Sequence, residues 1–515
     1  MYFQIFDNND DLNNYQCIDG IYILQGEITE SNFYFTTEEF LFSLLSDGNY
    51  VREIKLPTDN LDLKITQHSC GLGISTKWKS NQIILGKTYS LSDINTFKFL
   101  QMNGVDFLGF GYAVVEWASN LGYTKLVEFL IESGADIHVN DGSALVYSSS
   151  NGHFDIVKIL LLNGANDSDN SALELSSLNG HELVVKLLLE YGSNANHCSA
   201  LSNACSRGHL AIVKLLVESG ADVNNGPTLR LASEHGHASV VKFLLESGVN
   251  NDYDALIRAS ECGHLSVVKI LLLNGLNSRI DDSFCAAAKH GHLSVVKFLL
   301  ESGADIHAKD DNAFYWACWN NHPDILKVLL KYGYVYEDYD TLERAVQCNH
   351  YKIVKILLKN GTNIPKNKDL LHQATSHGCY KVVELLLKYH IDCHANINDA
   401  FFWACYCGHF EVVELLLLNG ADIHFKDNYV FYWTCYNATY SNKHIKIVEL
   451  LLSNGADVNL ALEYAINTHN LKMILLLMQY GANIYDKRDE IKELIQKYDD
   501  QEIVNRINEL IQKID

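Results

Sequence analysis

One phrase, written again and again along the chain, limits its folding more than any other feature. It runs Gly-His, two variable residues, Val-Val-Lys, one variable residue, Leu-Leu, and then a closing Gly-Ala-Asp. It reads GHFDIVKILLLNGAN from Gly152, GHLAIVKLLVESGAD from Gly208 and GHLSVVKFLLESGAD from Gly291. The closing glycines run from Gly104 to Gly481 in steps of 26 to 30 residues, with His390 where one is due and a single step of 35 between Gly420 and Gly455. A unit of this length is one supersecondary element. It cannot bury its own apolar face, so copies must stack on one another.

Each copy holds two helical stretches. In the second, Ile156, Val157, Ile159, Leu160 and Leu161 form a broad apolar stripe while Lys158 points away. The stretch closes at Gly164, where a left-handed cap suits glycine. The first stretch opens on an N-cap residue type, at Ser143, Ser171, Ser199, Asp254, Asp282, Asn312, Asp340, Asp369 and Asp399. It then carries a small pair, such as Ser148-Ser149, Ala204-Cys205, Ala317-Cys318 or Ala404-Cys405, which lets helices of adjacent copies approach closely.

On these motifs the chain resembles the ankyrin repeat family over residues 91–484. Leu371-His372 keeps the family's Leu-His, while the preceding Pro never stands at its own position. The short period, an Asn/Ile/Lys/Tyr-rich vocabulary and the segments VREIKLP and KWKSNQIILG resemble ankyrin proteins of large DNA viruses that infect amoebae. The resemblance implies an all-α, ankyrin-type helix-pair solenoid of about thirteen repeats. Residues 1–90 are expected to form a small α+β leader domain that caps the first repeat, and residues 485–515 a C-terminal helical cap. Only six residues separate Gly164 from Ser171, so the projecting β-finger of the family should shrink to a tight turn. That leaves the concave helix face as the candidate surface. The 35-residue repeat should carry an extra loop around Asn437–Asn442.

The implied function is a protein–protein interaction scaffold without turnover, a monomer holding host or viral proteins in host cytoplasm. An alternative is an adaptor that recruits host proteins to a ubiquitin-ligase or other modification machine through residues 1–90. The formal net charge of −23 argues against nucleic acid and anionic membrane surfaces. No run reaches the roughly 18 apolar residues of a membrane span, and MYFQIFDNNDD lacks the basic start of a secretory signal. The 13 cysteines follow no disulfide framework and read as reduced thiols.

Catalytic and cofactor motifs are missing from the sequence: no Walker loop, no Gly-x-Ser-x-Gly elbow, no kinase signature. No enzyme activity, cofactor or metal is expected. His153, His181, His209, His237, His264, His292 and His409 each follow a loop glycine, and an identical place in every copy predicts a structural loop hydrogen bond. His372, His377, Cys379, His390, Cys393 and His394 cluster in sequence, but their spacing fits no zinc pattern.

One pattern does suggest recognition. The residue before the small pair should face the concave groove, and four of the six tryptophans occupy it: Trp117, Trp316, Trp403 and Trp433, with Tyr147 in the same place. Trp319, Tyr406 and Tyr436 lie three residues on and share that face. These eight are the candidate partner-binding residues, because Trp and Tyr dominate binding hot spots. Simple stacking of the rings on neighbouring repeats is the competing expectation.

Overall fold

The computed structural model describes residues 2–6, 15–18, 21–24, 35–37, 41–42, 45, 48–67, 77–107, 111–250, 253–335, 339–361, 369–389, 397–438, 441–497 and 500–514. The chain packs as two units, residues 1–259 with 264–278 and residues 260–263 with 279–515.

The first unit opens with strands β1 (Tyr2–Phe6), β2 (Tyr15–Ile18), β3 (Ile21–Leu24), β4 (Thr36–Thr37), β5 (Tyr50–Lys55), β6 (Ile65–Gln67), β7 (Trp78–Ser80) and β8 (Gln82–Ser90). Six pair in the order β2-β3-β8-β5-β1-β4, and β6 pairs with β7. All these pairings are antiparallel. Leu24, Phe35, Ile54 and Ile83 form a buried core on this sheet. The sheet leads straight into the lone helix Ile94–Met102, which Asp93 caps by accepting from the Asn95 amide. Phe42 stacks on Phe97 of that helix at 5.8 Å, and Phe97 meets Phe107 at 6.2 Å. Phe42 thus joins residues 1–90 to the first half-repeat through ring contacts.

Thirteen helix pairs follow among the described residues. In the second helix Phe154–Leu162, Ile156, Val157 and Leu160 are fully buried and Lys158 is exposed, as the apolar stripe requires. Burying each such side chain stabilises by about 1.5–3 kcal/mol, and the neighbouring repeat supplies part of the cover. The small pairs are buried throughout: Ser148 and Ser149, Ala204 and Cys205, Ala404 and Cys405. The Ser148 hydroxyl donates a hydrogen bond to the Ala144 carbonyl at 2.8 Å. Gly164 closes the helix at φ 95°.

The loop histidines explain how one repeat registers on the next. His153 Nε2 donates to the Asn120 carbonyl at 3.0 Å, His237 Nε2 to Ser206 at 2.8 Å and His292 Nε2 to Glu261 at 2.8 Å. His181, His209, His264 and His409 make the same bond. A carbonyl only accepts, so each ring carries its proton on Nε2. Each ring also sits on the loop glycine of the preceding repeat: a Cβ on Gly208 would stand 2.5 Å from His237 Nδ1. The glycine is thus required twice, for φ +76° and for space. Where the receiving residue is Asn321 (φ 59°), His350 turns to donate from Nδ1 and reaches Cys318, one carbonyl further back. Where it is Asn349 (φ 57°), the peg is the smaller Cys379, whose thiol points at the Val346 carbonyl at 3.6 Å.

Two sequence expectations need correction, the N-caps and the extra loop. Asp369 does cap its helix, accepting from the His372 amide at 2.8 Å. Ser199, Asp254, Asp282, Asp340 and Asp399, however, lie inside their helices. Ser143 and Ser171 likewise lie one residue inside theirs, after Gly142 and Asn170. At the second of these, Asp167 reaches from the turn to accept from the Ala172 and Leu173 amides at 2.9 and 3.0 Å. Of the extra loop expected around Asn437–Asn442 in the 35-residue repeat, residues 439–440 lie outside the described residues, and the ends of that span are helical. Asn437 and Ala438 end the helix Phe425–Ala438, and Asn442 starts the helix Asn442–Ser453, twelve residues long where its neighbour Phe410–Leu418 has nine. His444 on that longer helix still donates to Tyr406 at 3.0 Å, so the register device survives the insertion.

The short turns between repeats hold no strand among the described residues. The longer ones place Asn140, Lys309 and Lys426 in the left-handed region. Their side chains reach back to carboxylates of the preceding repeat: Asn140 to Glu116 at 2.8 Å, Lys309 to Asp282, and Lys426 to Asp399 at 2.9 Å. At the far end, helices Arg488–Ile495 and Gln501–Ile514 bury Ile491, Ile495, Val504, Ile507 and Ile511. Leu494, Ile503 and Leu510 are half-buried.

Candidate functional site

The first helix of each pair turns its small pair inward and offers the residue before it outward. In the second unit this builds two ring clusters. On the helix Ala308–Trp319, Tyr315 meets Trp316 at 5.4 Å and Trp319 at 5.5 Å, and Trp316 meets Trp319 at 6.3 Å. Lys289 lies 4.9 Å from the Trp316 ring centre, and the Arg344 guanidinium 4.1 Å from that of Trp319. A hollow of about 480 Å³ opens beside Tyr315 and Trp316, closed by Tyr334 and the turn Lys309–Asn312.

The larger cluster crosses four consecutive first helices, Leu370–Ser376, Ile397–Cys407, Phe425–Ala438 and Val458–Asn467. His372 packs on Trp403 at 5.1 Å, Trp403 on Tyr406 at 5.6 Å and Tyr406 on Trp433 at 6.0 Å. Trp433 meets Tyr436 at 5.2 Å, and Tyr436 meets Tyr464 at 5.9 Å. Phe402, Tyr429 and Tyr432 close the sides, Phe402 stacking on Tyr429 at 5.6 Å and Tyr432 meeting Tyr464 at 4.9 Å. Edge-to-face contacts predominate, as the ring quadrupoles favour. The surface remains open, with Trp403 36% and Tyr406 41% exposed. Trp433 is more deeply set, and no described residue accepts from its buried Nε1.

Of the eight candidate residues, the structure brings Trp403, Tyr406, Trp433 and Tyr436 into one cluster and Trp316 with Trp319 into the other. Trp117 and Tyr147 belong to the first unit. Trp117 packs on Tyr123 at 5.3 Å, and Tyr147 is 46% exposed with no ring beside it among the described residues. The sequence reading missed Tyr315, Phe402 and Tyr432. A signal for them existed: FYWACW, FFWACY and FYWTCY, at Phe314, Phe401 and Phe431, are three copies of one aromatic motif.

Other chemistry is sparse. Among the described residues, no three His, Cys, Asp or Glu side chains gather to hold a metal ion. His377 donates from Nδ1 to its own helix at Gln373, and Cys379 is a buried register peg. His390, Cys393 and His394 lie outside the described residues. Burial pushes the Cys205 thiol up to about 12 and the Cys285 thiol to about 11, so these side chains act as small apolar groups, not nucleophiles. No helix among the described residues is long and apolar enough to cross a membrane.

These features define a class: a stacked array of helix pairs with aromatic surface on its first helices. The chain matches the family described as ankyrin repeats (3 copies) over residues 112–199, 145–226, 201–283, 256–340, 284–368 and 401–488. Residues 371–417 match ankyrin repeats (many copies). It belongs to the ankyrin repeat family. It is similar to proteins of Acanthamoeba polyphaga mimivirus whose names give them as ankyrin repeat proteins. One is 26% identical over 178 residues, covering 33% of this chain and 86% of that protein. Another is 32% identical over 104 residues, 20% of this chain and 34% of the relative. A third is 29% identical over 150 residues, 26% and 54% of the two chains. The chain thus spans about a third and about half of the latter two.

Proposed function

We propose that this protein is a binding scaffold that holds partner proteins against its first-helix face, in the region of Trp403, Tyr406, Trp433 and Tyr436. Ankyrin repeats mediate protein–protein interaction, and the observation that carries the assignment to this place is the unbroken path of rings from His372 to Tyr464. Rings on rigid helices bury large area on binding at little entropic cost. The mechanism is complementarity without turnover. The partners in this reading are host or viral proteins in the cytoplasm of an infected cell, and the likeness to viral ankyrin repeat proteins supports it. The packing of Phe42 on Phe97 supports a capping role for residues 1–90 rather than a separate recruiting module.

The test is capture by the tagged full chain from an infected-cell lysate, quantified by mass spectrometry. Trp403→Ala combined with Trp433→Ala should remove the captured partners while circular dichroism keeps its helical signal. Unchanged capture by a folded double variant defeats the proposal.

A further inference from the structure

The three copies of the aromatic motif differ in what covers their rings. In the first, the chain's own cations do so: Lys289 over Trp316 and Arg344 over Trp319. Lys289 follows the small pair of the preceding repeat, and Arg344 precedes the small pair of the next. At the corresponding places around the second copy stand Ser376 and Trp433, and around the third Tyr406 and Tyr464. Rings and one hydroxyl have replaced the cations. Among the described residues no Lys or Arg lies over Trp403, Tyr406 or Trp433.

A ring face attracts a cation through its quadrupole, and tryptophan does so best. The surroundings add to this. The chain's formal charge is −23, and Glu463, exposed beside Tyr464, has no ion-pair partner among the described residues. Successive rings Trp403, Tyr406 and Trp433 stand 5.6 and 6.0 Å apart. An extended peptide presents alternate side chains on one side about every 6.6 Å.

We infer that this ring face takes an extended, arginine-bearing segment of a partner protein, its guanidinium groups stacking on Trp403, Tyr406 and Trp433 as Arg344 stacks on Trp319. The inference rests on the protein-binding reading of the same face. Arginine suits better than lysine because its planar guanidinium is weakly hydrated and lies flat on a ring.

The experiment is fluorescence anisotropy of the full chain with a labelled octapeptide alternating Arg and Gly, beside its Lys–Gly counterpart, at physiological salt. The Arg peptide should bind more tightly than the Lys peptide. Trp403→Leu with Tyr406→Leu, which leaves net charge untouched, should weaken it by at least about tenfold. Trp403→Phe keeps a ring in place should the leucine variants fail to fold, and should still weaken binding measurably. No binding of the Arg peptide, equal affinity for both peptides, or affinity unmoved by the ring substitutions overturns the inference; the last two leave net charge as the sole attraction. Selection from a random peptide library, on wild type against Trp403→Leu, separates the two levels. Ring-dependent binders rich in arginine support the inference. Ring-dependent binders without arginine overturn it and leave the protein-binding face standing. No ring-dependent binders overturns both.

Discussion

Substituting Gly208 by Asn tests whether the Gly–His contact sets the register between repeats. Asn is chosen because it tolerates a left-handed backbone better than other residues with a side chain, so φ +76° adds little strain. What remains is steric. The new Cβ would stand 2.5 Å from His237 Nδ1 and 2.8 Å from its Cε1, so the imidazole must move. Moving it breaks the 2.8 Å bond from Nε2 to the Ser206 carbonyl, about 0.5–1.5 kcal/mol. Overpacking adds about 1–3 kcal/mol. The control is Gly220→Asn, at φ +98° with nothing within 4 Å of a Cβ, which should cost well under half as much. The repair is written in the chain itself, where Asn349 receives Cys379. Adding His237→Cys to Gly208→Asn should therefore recover much of the loss, a coupling of about 1 kcal/mol or more in a double-mutant cycle. Long repeat arrays need not unfold in one step. Hydrogen exchange in the helix Ala238–Glu246, measured by mass spectrometry beside urea titration, is the assay of choice. Equal costs at Gly208 and Gly220, or strict additivity with His237→Cys, would refute the reasoning.

Two further outcomes follow from the packing. Burial holds the His350 pKa below its ordinary 6.5, outweighing the bond to Cys318, with His322 pushing the same way. The unfolded chain then binds the extra proton first, so stability is full above about 6.5 and declines as pH falls through the lower folded value; urea midpoints across this window should fall less in His350→Gln than in wild type. Phe42→Ala removes a side chain 2% exposed that stacks on Phe97, and should cost about 3–5 kcal/mol, read as faster exchange in the helix Ile94–Met102; unchanged exchange there would deny the leader its capping role.

The helix pairs were legible because the period is local. Ile156, Val157 and Leu160 declare one buried stripe within five residues, and the closing Gly164 marks its end. The strand-rich segment could be read only as short β-branched and aromatic runs. Its pairing joins β1 to β5 and β5 to β8 across separations that no local pattern specifies. Helix starts were misplaced for a related reason. The Ala172 and Leu173 amides are capped from Asp167 in the turn, and the Ser171 amide from Asp169, so the residue type at the helix boundary did not reveal which side chain does the work.

The candidate face was half legible, and the missing half is instructive. The position before the small pair could be found within one repeat, and it gave Trp403 and Trp433. What those rings touch is set by residues about thirty positions away, in the repeat on either side: Tyr406 for Trp433, Arg344 for Trp319, Lys289 for Trp316. Stacking converts each sequence position into a column, and side chains meet along columns rather than along the chain. A repeat protein thereby carries its own comparison set. Where a column changes from glycine to Asn321 or Asn349, the peg in the next repeat changes its bonding nitrogen or its identity. Where the ring column loses its cations, as it does after Arg344, adjacent rings fill the vacated places and their faces stay open. The same geometric rule, a contact answered one repeat later, thus governs both the register of the array and the character of its surface.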